Sequence, residues 1–195
     1  MDEILKQKIQ QLVREEIEIV SYNPSWPRLF EKEKIFLQDN LPDDLVERIE
    51  HFGSTAVPGL SAKPIIDILV EVSSLEETKN QVVPLLESEG YEYLWRPTVG
   101  NQPPYYAWFI KRNSKGVRSH HIHMVESDSI LWKRLYFRDY LIDFPAEAKR
   151  YDTLKKTLAK RYSHDRIEYT KQKSDYIQKI TDKAVTYYRG NNDLD

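Results

Sequence analysis

EHFGSTAVPGLSAKPIIDILVEV, residues 50–72, joins two strand-like runs through one turn. The first run, Leu45 to Phe52, ends at Gly53-Ser54. The second, Ile65 to Val72, opens after Lys63-Pro64 and carries a central carboxylate, Asp67. The chain has only six glycines, and two of them, Gly53 and Gly59, fall in this turn. A residue without Cβ permits backbone conformations and a closeness of ligand approach that others resist. A small-residue turn that leaves a strand and opens towards a helix start at Ser54-Thr55 presents free N–H groups to an anion. A carboxylate inside an apolar strand needs a partner, because an unpaired buried charge is costly. Together these features predict a phosphate-and-metal corner, with the remaining chain as its scaffold.

Upstream of this stretch, residues 3–17 carry the apolar spacing of a helix, with Ile4, Ile9, Leu12 and Ile17 among charged neighbours. Ile17 to Tyr22 is β-branched enough for a short strand. Asn23-Pro24-Ser25-Trp26-Pro27 is a turn, and a helix is expected from about Pro27 to Asp39 with proline in its first turn. Downstream, Ser73 or Ser74 caps a helix to about Glu89, which Pro84 should kink and Gly90 should stop. Tyr91–Trp95 and Tyr105–Lys111 read as strands around a polar loop, Arg96–Pro104. Asn113-Ser114-Lys115-Gly116 then turns the chain into an antiparallel strand, Val117–Val125. From Ser127 the spacing is helical, over 128–143, about 146–162 and 167–188, with breaks at Pro145 and Ser163-His164-Asp165. The prediction is a single α+β domain over 1–195: an N-terminal helical extension (1–18), a mixed-sheet α/β core (19–126) and a C-terminal helical cap (127–190).

Composition bounds the function. Apolar residues are 40% and charged residues 31% of 195, a globular composition. With 29 basic and 31 acidic residues the net charge is −2, so no global basis exists for nucleic-acid binding. No run approaches the roughly 18 apolar residues of a membrane span. The first twenty residues lack an apolar signal core, which makes a cytoplasmic location the expectation. The absence of cysteine excludes disulfides, thiolate zinc sites and cysteine nucleophiles.

Around GSTAVPGLSAKPIIDI the sequence resembles the GrpB family, an uncharacterised family assigned to the nucleotidyltransferase-like superfamily. The resemblance continues in order through NPSWP (23–27), RIEHFGSTAVPGL (48–60), AKPIIDILV (62–70), HIHMV (121–125), FRDYL (137–141) and the Tyr169/Lys173 region. It covers most of the chain from about residue 18. It implies a nucleotidyltransferase-like mixed sheet in which a Gly-Ser pair holds a triphosphate. Paired carboxylates on the next strand, with a third on another, would bind a divalent metal such as Mg²⁺. Gly53-Ser54 fits the first element and Asp67 fits one carboxylate. The i−2 and i+2 neighbours of Asp67 are Ile65 and Leu69, however, neither of which binds metal.

Histidine offers a replacement. His121 and His123 alternate with Ile122 and Met124, so a strand would point both imidazoles to one face. Beside the Asp67 strand they would complete a two-histidine, one-carboxylate set for a divalent metal. Alternatively they hydrogen-bond Asp67 or a phosphate with no metal. Ser54 and Thr55 read as phosphate ligands or as an ordinary helix cap, and Lys63 as a phosphate neutraliser or a solvated loop lysine. Arg48 and Glu50 share a strand face and suit a salt bridge; His51 lies on the other face. Glu71 marks an exposed strand end. Arg138, Tyr169 and Lys173 match the family pattern, and the last two share a helix face. They reach a nucleotide from the cap, or serve helix packing. Two functions follow: metal-assisted transfer of a nucleotidyl group from a nucleoside triphosphate to an unidentified acceptor, with Asp67, His121 and His123 as the reacting cluster, or binding of a nucleotide or phosphorylated small molecule without transfer.

Overall fold

Asn23 starts the first helix by accepting, through Oδ1, the backbone N–H and the hydroxyl of Ser25 at 2.9 and 2.8 Å. The fold was obtained as a computed structural model that describes residues 16–99 and 102–192, so the helix expected over residues 3–17 lies outside the described residues but for its last two positions. Helix α1 (Trp26–Asn40) buries Trp26, Phe30, Glu33 and Leu37, one stripe at helical spacing. The short strand expected over Ile17–Tyr22 is reduced to one bridge, Val20 to Ala62.

Five strands form one sheet in the order β1-β2-β5-β4-β3: β1 (Val46–Phe52), β2 (Ile66–Val72), β3 (Glu92–Val99), β4 (Gln102–Arg112) and β5 (Arg118–Val125). β2 and β5 are parallel and the other pairs antiparallel. The chain leaves β2, crosses to the far edge through helical turns and returns as a meander, which brings β5 alongside β2. Ile66, Ile68, Val70, Ile122, Met124, Phe109 and Ala107 pack on α1 behind the sheet. On the other face Phe52, Leu69, Trp108 and Ile110 pack with Leu131 and Leu135. Each such apolar side chain contributes about 1.5–3 kcal/mol on burial, so this double-sided core fixes the position of the polar residues set within it.

The crossover helix forms in three pieces, α2 (Leu75–Glu77), a π-helical turn (Thr78–Val82) and α3 (Val83–Ser88). Ser74 caps it, its Oγ accepting from Glu77 N at 3.2 Å. The kink expected at Pro84 takes the form of that π turn, in which the Val83 N–H reaches the Thr78 carbonyl; proline has no N–H to continue an α-helical ladder.

Of the polar loop expected over Arg96–Pro104, the described residues 96–99 and 102–104 are instead strand. β3 and β4 pair from Glu92↔Ile110 out to Val99↔Gln102. The prolines are tolerated because β3 is a sheet edge and because Pro103 and Pro104 lie beyond the last β4–β5 pair, Ala107↔Met124.

Three further helices, α4 (Lys133–Asp143), α5 (Pro145–Arg161) and α6 (Arg166–Asn192), complete the α+β architecture. Their shared core of Tyr140, Leu141, Tyr151, Ile180 and Ala184 includes Val57 and Leu60 from the turn after β1. Two α5 residues one turn apart grip that turn: Asp152 Oδ1 accepts from Ser61 N at 3.0 Å, and Lys155 Nζ donates to the Ser61 carbonyl. No helix among the described residues is long and apolar enough to cross a membrane.

Candidate functional site

Strand register builds the site. In the parallel β2–β5 pair Asp67 lies beside His121 and Leu69 beside His123, and the alternation of each strand turns Asp67, His121 and His123 to the same face. His121 Nδ1 is 3.2 Å from Asp67 Oδ1. One donor atom from each of the three residues falls within 4.8 Å of the others, and among the described residues this is the one cluster of three or more such groups able to hold a metal ion. Solvent still reaches it, since the Asp67 side chain is 29% exposed and that of His121 12%.

An aromatic wall fixes the imidazoles. Tyr106 stacks on His123 at 5.4 Å between centroids, Phe52 meets it edge-on at 5.1 Å, and Trp108 meets His121 at 5.0 Å. Burial holds His121 below its ordinary value and His123 well below, so both are neutral and able to ligate at neutral pH. Burial pushes the Asp67 carboxyl up, but the His121 hydrogen bond, helped by the neighbouring imidazoles and by Lys63, outweighs it and leaves it lowered.

The turn is tied to the carboxylate by Gly53, which has φ +75 and sits directly against Asp67. The helix expected to open at Ser54 is only one 3₁₀ turn, Ser54–Ala56, so it brings no helix dipole. Thr55 is buried; its hydroxyl donates to the Ile65 carbonyl at 3.2 Å and accepts from His51 Nε2 at 3.0 Å. Ser54 faces the Tyr151 hydroxyl.

Lys63 and Lys173 reach the recess from opposite ends of the sequence, and both ammonium groups lie over the Tyr169 ring, at 5.3 and 4.4 Å. Among the described residues neither has a carboxylate within ion-pair distance. Burial, with the like charges of Arg166 and Lys173, pushes Lys63 well below its ordinary value; burial, against the pull of Asp67, brings Lys173 down to about 8. Tyr169 itself is buried with Ile17, Leu158 and Ala159.

A family model described as GrpB protein matches residues 16–183. The chain belongs to the GrpB family. It is similar to the glutamate-rich protein GrpB of Alkalihalophilus pseudofirmus, 36% identical over 85% of this chain and 94% of that one. It is 34% identical to the UPF0157 protein YqkA of Bacillus subtilis over 92% of this chain but only 50% of that protein. Among solved structures, the conserved protein GrpB from Enterococcus faecalis superposes with a TM-score of 0.76 at 35% identity, covering 88% of this chain and 99% of that one.

Within this GrpB-family chain the remaining predicted site residues are placed as follows. Arg138 is engaged elsewhere: it donates to Glu50 Oε2 at 2.9 Å, the His51 carbonyl at 2.7 Å and Asp139 Oδ1 at 2.7 Å, clamping α4 to β1. Glu50 also pairs with Arg48 at 2.9 Å. His51 stacks on Phe30 behind the sheet. Sequence reasoning missed Tyr151, Arg96, Arg134 and Arg166, which all act on the recess from elements distant in sequence.

Proposed function

We propose that the recess binds a nucleotide or a related phosphorylated small molecule around one divalent cation, and that it supports transfer of a nucleotidyl group from a nucleoside triphosphate to an acceptor. The observation that carries this reading is the Asp67–His121–His123 cluster, open to solvent and bordered by two lysines that have no carboxylate partner among the described residues.

The donor set fits a metal. Two ligands on one ion at about 2.0–2.2 Å each stand about 3 Å apart, and His121 Nδ1 and Asp67 Oδ1 are 3.2 Å apart. Two imidazoles and one carboxylate favour zinc, manganese or iron over Mg²⁺, which prefers oxygen ligands throughout. When bound, such an ion supplies Lewis acidity to a phosphoryl oxygen. Gly53 leaves room for the Asp67 carboxylate, while Lys63 and Lys173 offset the phosphate charge. In the transfer, an acceptor oxygen bonds the α-phosphorus as the α–β bridging P–O bond breaks. Pyrophosphate leaves with that electron pair, and the acceptor's proton passes to solvent.

Among the described residues no second carboxylate joins Asp67, so a pair of metals bridged by carboxylates has no support. The same fact favours a second reading, binding without transfer. Calorimetric titration of ATP, GTP, CTP and UTP, with and without Mn²⁺, Zn²⁺ or Mg²⁺, separates them. Transfer chemistry expects metal-dependent binding lost in Asp67→Ala and release of pyrophosphate on addition of acceptors. Binding indifferent to metal and to Asp67 supports the binding module, and no binding removes both.

A further inference from the structure

Charge is segregated along this chain. Residues 133–192, which span the three C-terminal helices, carry 15 basic and eight acidic residues, whereas residues 1–132 carry 14 and 21. The small net charge thus conceals a basic cap, net +7, on an acidic body, net −7. Asymmetry of this kind marks a surface that meets a polyanion.

One face of α5 concentrates the charge of the cap. From Lys149 onward its exposed residues are five cations, Lys149, Arg150, Lys156, Lys160 and Arg161, and two threonines. Lys149, Lys156 and Lys160 recur at i, i+7 and i+11, with Arg150 and Arg161 each one position further round, so all five share one side of the helix over about 18 Å. Neither carboxylate of the helix is exposed. Glu147 is buried and accepts from the Tyr176 hydroxyl, and Asp152 is half-buried and accepts from Ser61 N. Arg150 and Lys156 pair with these two at i,i+3 and i,i+4, contacts worth little at a surface. Lys149, Lys160 and Arg161 have no ion pair among the described residues.

We infer that the outer face of α5 docks on the phosphate backbone of a nucleic-acid duplex. An anionic bilayer would need apolar side chains to insert beside the cations, and the apolar Tyr151, Leu158 and Ala159 of α5 are buried in the protein's own cores. A single strand is held largely by aromatic side chains on which its bases stack, and α5 exposes no aromatic residue. A straight row of cations interspersed with hydroxyls suits a regular row of phosphates, and a duplex carries about one charge per 1.7 Å of its axis. The acidic body repels the same polyanion and confines it to the cap. This surface is separate from the recess, which α5 meets with its buried side, where Tyr151 faces Ser54.

Fluorescence anisotropy of short labelled DNA and RNA duplexes tests this on the full chain. Wild type is compared with Lys149→Gln/Lys160→Gln/Arg161→Gln and with a charge-matched α6 control, Lys171→Gln/Lys179→Gln/Arg189→Gln. All six positions are exposed, and circular dichroism checks that each variant folds. Wild type should bind with a Kd of about 1–100 μM near 0.1 M salt, and log K should fall with log salt at a slope of about −2.7 to −4.5, for three to five neutralised phosphates. The α5 variant should bind about tenfold or more weakly and bring the slope nearer to zero by about 2.7; the α6 control should leave the slope unchanged. No duplex binding, or an undiminished slope in the α5 variant, overturns the proposal. So does an equal loss in both variants, which would make net charge alone the cause. Phosphatidylserine vesicles or poly-glutamate competing as well as the duplex, charge for charge, overturn the choice of nucleic acid, and tighter binding of a single strand overturns the choice of duplex. Self-association of wild type that the α5 variant abolishes, with duplex unbound, overturns it in favour of a second copy of the chain.

Discussion

The Asp67 carboxylate lies where a side chain on Gly53 would begin. A Cβ built there meets Asp67 Oδ2 at 2.5 Å, with Asp67 Cβ and Cγ at 3.0 and 3.1 Å. The turn and the carboxylate are thus set by one contact, and the left-handed backbone at φ +75 adds a second reason for glycine.

Gly53→Ala should cost about 1–3 kcal/mol of stability, from positive φ and overpacking together, and should push the Asp67 side chain off the cluster. Urea denaturation measures the first effect and metal titration the second. In an Asp67→Ala background the overpacking part should shrink to the contact with the remaining Cβ at 3.0 Å, so the cost should fall towards the backbone part alone. An equal cost in both backgrounds would show that the contact does not position the carboxylate.

Arg138 matches the family pattern, yet its guanidinium joins Glu50, Asp139 and the His51 carbonyl. Arg138→Ala should therefore destabilise the fold by about 1.5–3 kcal/mol, the worth of hydrogen bonds to charged groups, and leave phosphate stoichiometry unchanged. Loss of a phosphate equivalent with stability intact would make Arg138 a ligand instead of a clamp.

The facing of the site side chains was legible because alternation is a local property. His121-Ile122-His123 and Asp67-Ile68-Leu69 declare their faces without knowledge of neighbours, and the β2–β5 pairing then made one cluster of them. The end of the β3–β4 hairpin was not legible, because proline forbids a central strand but not an edge or an overhang, and edge position belongs to the sheet as a whole. The arginines failed in the same way. Arg138 and Arg134 lie one helical turn apart on α4, yet one meets Glu50 and the other has no carboxylate partner among the described residues. That difference is set by the tertiary placement of β1.

Stability should fall in mild acid. Burial lowers His51 to about 4, and lowers His120, His121 and His123 as well. A histidine whose folded pKa lies below its unfolded value lets the unfolded chain bind the proton first. Its contribution is complete above about pH 6.5 and is lost as pH falls towards the folded value. His51→Gln should keep a donor to Thr55 and remove up to one proton from the linkage, reducing the slope between pH 6 and 4 by as much as ~1.4 kcal/mol per pH unit. An unchanged slope in urea denaturation across that range would discount His51.

Glu33 anchors α1 to the back of the sheet, accepting the Tyr91 hydroxyl and the Lys111 ammonium, the latter at 2.6 Å. It is 3% exposed, and its loss strands both partners. Glu33→Ala should cost about 2–4 kcal/mol, with Lys111→Met costing less because that lysine is the more exposed partner. A Glu33→Ala loss below the Lys111→Met loss would mean that the network contributes little beyond its apolar contacts.

Phosphate affinity should weaken in mild alkali because of Lys173. Burial, against the attraction of Asp67, brings this lysine down to about 8. Below that pH it is charged and attracts phosphate; above it the charge and the attraction are lost together. Phosphate binding raises the lysine's pKa in turn, so binding near pH 8 should take up protons from the buffer. Calorimetry in two buffers of different ionisation enthalpy reads that uptake directly, and a titration series from pH 7 to 9.5 reads the falling affinity. Lys173→Arg keeps its charge throughout this range and should flatten the limb while leaving affinity at pH 7 within about tenfold. An alkaline limb that survives in Lys173→Arg would belong to Lys63, the other lysine over Tyr169, and the matching Lys63→Arg variant would identify it. Affinity independent of pH in wild type would mean that neither ammonium touches the bound phosphate.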